Sequence, residues 1–153
     1  MVSTLRDKGK VLIPVFALGR TQELLLLLDE YWEKNSIYRN YGKVYYLNSF
    51  ARRSNKLFEE NTNMMNDRIK KSIEQDGRNP FLFRHVEIPS RAEDWLNVDI
   101  NQQPPCVILC SPAMMETGVS RKVLEKIADG EKNKVILTGY CMAVGNGMRK
   151  RIE

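Results

Sequence analysis

The segment Val11–Trp32, VLIPVFALGRTQELLLLLDEYW, constrains the fold more than any other part of the chain. Val11–Leu12–Ile13–Pro14–Val15 is apolar at every position. Neither side of its pleat can face water, so it predicts a strand in a sheet covered on both faces. Leu24 to Leu28, with Tyr31 and Trp32, supply the apolar stripe of a following helix. The joining turn Ala17–Leu18–Gly19–Arg20 sets a fixed cation at a helix start. The helix macrodipole disfavours positive charge there unless an anion is held beside it, and free helix N–H groups favour the same anion. Strand, turn and helix together make half of a βαβ crossover.

The same construction recurs. Cys106–Val107–Ile108–Leu109–Cys110 is a continuous apolar run that breaks into Ser111–Pro112–Ala113–Met114–Met115–Glu116–Thr117–Gly118, and a helix follows near Ser120. Lys134–Val135–Ile136–Leu137 runs into Thr138–Gly139–Tyr140. If these strands are parallel in one sheet, their loops leave on one edge, where open α/β sheets bind ligands. That edge is the expected site. Arg20, Ser111, Ser120 and Arg121 are its candidate anion contacts, because each sits at a strand end or helix start. Glu23 suits a first helical turn on dipole grounds alone, and Met114–Met115 would line a groove or fill the core.

Elsewhere, Ser3 to Lys8 reads as the end of a helix with Gly9 at its C′ position. Lys43–Val44–Tyr45–Tyr46–Leu47 is a second strand, and Asn48–Ser49 offers an N-cap to helical territory from Phe50 to Ile73, broken at Asn61–Thr62–Asn63. Asp76–Gly77–Arg78–Asn79–Pro80 is a turn before a predicted strand at Phe81–Val86. A short helix is expected at Ala92–Leu96. The alternation predicts an α/β fold, a mostly parallel sheet with helices on both faces in a Rossmann-like cassette.

The composition narrows the chemistry. At 153 residues the chain can form one domain that buries roughly 70% of its unfolded surface. No run of ~18 apolar residues would span a bilayer, and the first residues carry no apolar signal region, so neither membrane insertion nor export is expected. Net charge is +5, a weak bias towards polyanions. Basic clusters stand at Arg52–Arg53, at Arg68 with Lys70–Lys71, and at Arg149–Lys150–Arg151. The first strand-to-helix loop holds one glycine, Gly19, so it is no Gly-x-Gly-x-x-Gly dinucleotide loop, and no phosphate-binding P-loop occurs. A hydrolytic zinc site needs three or more ligands, whereas His85 is the one histidine and Cys106 and Cys110 share one side of a buried strand. Those cysteines, with Cys141, are expected to be free thiols in a reducing compartment.

Six blocks carry a further pattern: IPVFALGRTQELLLLLDEYW, NSFARRS, MMNDRIKK, NPFLFRH, SPAMMETGVSR and GYC. In this order they resemble the β-CASP domain of metallo-β-lactamase-fold RNA nucleases, most closely the branch acting in cleavage and polyadenylation and next the Integrator branch. The resemblance implies that residues 1–153 form one β-CASP cassette of a longer nuclear protein. It implies a flanking metallo-β-lactamase domain that holds two zinc ions, pre-mRNA as substrate, and other subunits of the 3′-end-processing complex as partners. The family's zinc-binding histidine motifs have no counterpart here, so this cassette is expected to enclose RNA and to leave bond cleavage to the flanking domain. Two departures stand out. Ala113 replaces a usual glycine, and the residues after Gly139–Tyr140–Cys141 diverge. A second reading makes the cassette a protein-interaction and gating module, with Arg68, Lys70 and Lys71 meeting an acidic partner. A third, a free-standing small-molecule enzyme, lacks the ligands it would need.

Overall fold

A computed structural model describes residues 1–138 apart from 36, 37, 39, 66, 101 and 102. Five strands, β1 (Val11–Pro14), β2 (Lys43–Leu47), β3 (Val86–Glu87), β4 (Cys106–Cys110) and β5 (Lys134–Val135), form one sheet of order β3-β2-β4-β1-β5. Every pairing is parallel. The helices are α1 (Val2–Arg6), α2 (Arg20–Lys34), α3 (Ala51–Glu60), α4 (Asp67–Asp76), α5 (Ala92–Leu96) and α6 (Gly118–Ile127).

The continuous apolar strands do what their composition requires. Val11 and Ile13 of β1, Val44 and Tyr46 of β2, and Val107 and Leu109 of β4 face one core, closed by Leu25, Leu28 and Trp32 of α2. Leu12, Tyr45, Leu47, Cys106, Ile108 and Cys110 face the other, closed by α5 and by Val123, Leu124 and Ile127 of α6. The period-two alternation of side chains thus feeds two cores from the same strands. Cys106 and Cys110 are free and fully buried on one side of β4. The expected parallel sheet with helices on both faces is present.

Four local expectations change. Five consecutive leucines advance about 100° per residue around a helix and cannot share one face. Leu25 and Leu28 are buried with Trp32, whereas Leu27 and Tyr31 are exposed. The predicted strand at Phe81–Val86 is realised only at Val86–Glu87. The backbone N–H groups of Arg84 and His85 donate instead to Asp29 Oδ1, at 3.0 and 2.7 Å, and so are withdrawn from the ladder. The last strand is Lys134–Val135, although the Ile136 N–H still reaches Leu12 O at 2.8 Å. At the end of α1 the left-handed residue is Lys8, φ 63°. Its N–H donates to Leu5 O and that of Gly9 to Thr4 O, at 3.1 and 2.8 Å. This is a Schellman closure with Lys8 at C′ and Gly9 one position beyond. Gly9 is needed for a different reason, since a Cβ there would lie 2.0 Å from the Lys132 carbonyl oxygen. The break between α3 and α4 falls where expected, at Asn61 and a 3-10 turn over Thr62–Met64.

These two neighbours give opposite expectations. Gly9→Ala should cost about 1–3 kcal/mol through forced displacement of the Lys132 backbone, whereas Lys8→Gly should gain about 1 kcal/mol by relieving the left-handed strain. Urea denaturation of the two variants checks both signs.

Candidate nucleic-acid interface at the strand ends

In the sheet order, β1 and β4 are central neighbours whose chains leave in opposite directions. From β1 the chain passes through α2 on one face to β2, and from β4 it passes through α6 on the other face to β5. A parting of this kind opens a crevice beyond the carboxyl ends of the two strands. A cleft of about 440 Å³ lies there, lined by Pro14 at the end of β1 and Val15 and Phe16 after it, Arg20, Thr21 and Leu24 of α2, Ala113 and Met114 after β4, and Leu137 and Thr138 after β5. A cleft is thus present at the expected edge, and its lining is mainly apolar.

Of the four candidate contacts, Arg20 lines the cleft. Its side chain is 94% exposed and meets Glu23 Oε2 at 3.3 Å, an exposed pairing that leaves the guanidinium open to a stronger anion. Gly19, which starts α2 at φ 88°, supplies no side-chain cap. Its carbonyl oxygen accepts the Gln22 N–H at 3.1 Å, and it has no side chain to cap the other α2 N–H groups. Ser111, Ser120 and Arg121 are not among the lining residues. Ser120 is fully buried, its hydroxyl donating to Pro112 O at 2.6 Å and its N–H to Ser111 O at 3.1 Å. It anchors the loop after β4. The Arg121 Nε donates to Glu125 Oε1 at 2.6 Å along α6. Gly118, φ 75°, faces Pro112 closely enough that a Cβ would touch its ring at 3.1 Å.

The wall of the cleft formed by the β1–α2 loop is fixed from outside. Phe16 O accepts the Thr21 hydroxyl. Ala17 O accepts the Tyr46 hydroxyl at 2.8 Å, across the intervening strand β4. Tyr46 in turn accepts from Asn48 Nδ2 at 3.1 Å, and Asn48 Oδ1 accepts the Phe50 N–H at 3.0 Å. Burial pushes the Tyr46 phenol above its ordinary range, with hydrogen bonds to Asn48 and Ser54 acting in the opposite sense. At neutral pH it remains the protonated donor that Ala17 needs. No spacing rule connects Tyr46 to Ala17, because the contact depends on strand order. Thr138 closes the far side, its hydroxyl donating to Pro14 O at 3.1 Å.

The described residues do not fit a metal. Among them no three His, Cys, Asp or Glu side chains come together. His85 Nε2 lies 2.5 Å from Glu33 Oε2, and its backbone N–H is held by Asp29, so it serves to join α2 to the approach of β3. Burial raises the Cys106 thiol from 9.0 to about 12 and pushes the Cys110 thiol up as well, which disfavours the thiolate a metal would require. Gly139, Tyr140 and Cys141, the divergent stretch after them and the basic cluster Arg149–Lys150–Arg151 lie outside the described residues. Among the described residues no helix is long and apolar enough to cross a membrane.

The model of the Beta-Casp domain matches residues 21–148. This chain belongs to the Beta-Casp domain family. It is 45% identical over 150 residues to "Endoribonuclease ysh1" of Schizosaccharomyces pombe, covering 98% of this chain and 18% of that relative. It is 42% identical over 134 residues to "Cleavage and polyadenylation specificity factor 73" of Drosophila melanogaster, covering 88% of this chain and 18% of the relative. Against "Endoribonuclease YSH1" of Saccharomyces cerevisiae the figures are 39% over 140 residues, 90% and 17%. The Beta-Casp chain thus spans less than a fifth of the length of these relatives.

Two measurements bear on this geometry. Tyr46→Phe should cost about 1 kcal/mol, the value of one buried hydrogen bond, since Ala17 O keeps only the longer 3.4 Å bond from Gln22 Nε2, and should speed hydrogen exchange in the β1–α2 loop. Cys106 stays protonated in the folded state after its unfolded counterpart ionises, so stability present below pH 9 should fall as pH rises towards 12. The slope should approach about 1.4 kcal/mol per pH unit for this thiol. Urea midpoints of the native chain and Cys106→Ala across that window test it, the variant showing the shallower decline.

Proposed function

We propose that this Beta-Casp domain is the cap of a nuclear endoribonuclease of pre-mRNA 3′-end processing. In this reading it encloses RNA at the β1/β4 crevice while a metallo-β-lactamase domain elsewhere in the same protein holds two zinc ions. The observation that supports it most is Arg20, an exposed cation on the wall of the switch-point cleft and at the start of an α2 that lacks a side-chain cap. Phosphate is the anion such a helix start favours. The relatives' names, endoribonuclease and cleavage and polyadenylation specificity factor, support RNA as the substrate class. Since the described residues offer no ligand set for zinc, their contribution is confined to enclosure, orientation and phosphate contact. Ser111 and Ser120 act through the loop they fix, and Arg121 contacts RNA only where the strand passes beyond the cleft over α6. The remaining partners in this reading are other subunits of the processing complex.

In the intact protein that contains these residues, Arg20→Ala should weaken single-stranded RNA binding and lower the salt dependence of the binding constant by about one unit of slope, one phosphate contact. A salt titration with an unchanged slope would remove Arg20 from the RNA path. Crosslinking adds a second readout, since RNA adducts should map to the loops after β1 and β4. Adducts absent from those loops, with protein crosslinks at the exposed Lys70 and Lys71 of α4, would favour the interaction and gating role instead.

A further inference from the structure

Phe16 is a large exposed ring on backbone that the fold holds in place. It follows Val15, whose N–H donates to Cys110 O at 2.9 Å, and it leaves its side 63% exposed on the cleft wall. Its own carbonyl is held by Thr21 and the next one by Tyr46. The ring is therefore carried on constrained backbone. Arg20 stands on the same wall, while Met114 and the part-exposed Leu137 complete an apolar lining. The two lining hydroxyls are already committed as donors, Thr21 to Phe16 O and Thr138 to Pro14 O.

An aromatic face next to a cation, over an apolar floor, is the chemistry that receives a nucleotide from a single strand. The base stacks on the ring and the phosphate meets the guanidinium. Fixing the backbone beforehand reduces the ordering cost of such a contact. We propose that Phe16 is a stacking platform for one unpaired nucleobase of single-stranded RNA, with an adjoining phosphate on Arg20. This rests on the RNA-enclosing reading above and adds to it a base contact. With the lining hydroxyl protons committed, the platform reads the face of a base rather than its edge, so it accepts all four bases and holds purines more tightly through their larger stacking surface.

The test uses the intact protein and a short single-stranded RNA that carries 2-aminopurine at successive positions, with Phe16→Ala, Phe16→Trp and Arg20→Ala variants. Binding of the native protein should quench fluorescence at one position. Phe16→Ala should abolish that quenching and weaken binding roughly 5- to 150-fold, the value of one base–aromatic stack, with the salt slope unchanged. Phe16→Trp should keep both quenching and affinity. Loss of affinity in both Phe16 variants would overturn the platform in favour of a packing role. Unchanged quenching and affinity in Phe16→Ala, with Arg20→Ala still lowering the salt slope, would overturn the platform and leave the RNA reading standing. No effect from either Phe16→Ala or Arg20→Ala would overturn both.

Discussion

The parallel pairing of β1 with β4, Val11 against Val107 through Pro14 against Cys110, is the constraint on which the rest depends. Both strands are almost wholly withdrawn from water, and each sends alternate side chains into opposite cores. Because their onward helices lie on different faces, the same pairing creates the crevice. Stability and site therefore share one origin, in that strands apolar enough to be covered twice must sit at the centre of the sheet, and the centre is where the chain reverses direction.

How the site is held illustrates a division of labour. The residues that can touch a ligand, Phe16 and Arg20, carry little of the folding energy because they are largely exposed. The residues that hold them, Tyr46, Asn48 and Thr21, are buried and direct their polar atoms to loop carbonyls or to one another. A buried hydroxyl that fixes a carbonyl is silent in chemistry but sets the position of the neighbouring side chain. Substitutions in the first group should change binding with little effect on stability, and those in the second should change both.

Much of this was legible in the chain itself. Unbroken apolar runs at Val11–Val15 and Cys106–Cys110 marked doubly covered strands, and the turn ending in Arg20 marked the edge where the cleft opens. What escaped was whatever depended on strand order. Ser120 and Arg121 occupy a helix start, as Arg20 does, yet one is buried under the loop and the other lies along α6 away from the cleft. Helical position alone does not tell which side of a loop faces the crevice. The run Phe81–Val86 has strand composition, but Asp29, more than fifty residues earlier in the chain, takes the N–H groups that a strand would have used. Phe16 could have been flagged as the aromatic residue immediately beyond a strand that had already used its core positions.

The Asp29 contact has a consequence at the far border of the sheet. β3 is the outermost strand on that side, only two residues long, and the chain entering it has its Arg84 and His85 N–H groups turned onto a carboxylate of α2. A longer regular strand there would present a row of open donors and acceptors on which another polypeptide could add itself. By shortening the border strand and occupying the donors just before it, the fold leaves the β3 side of a strongly apolar sheet with little template for such growth. The five-residue strand β2, apolar over most of its length, is thereby kept from becoming an exposed border.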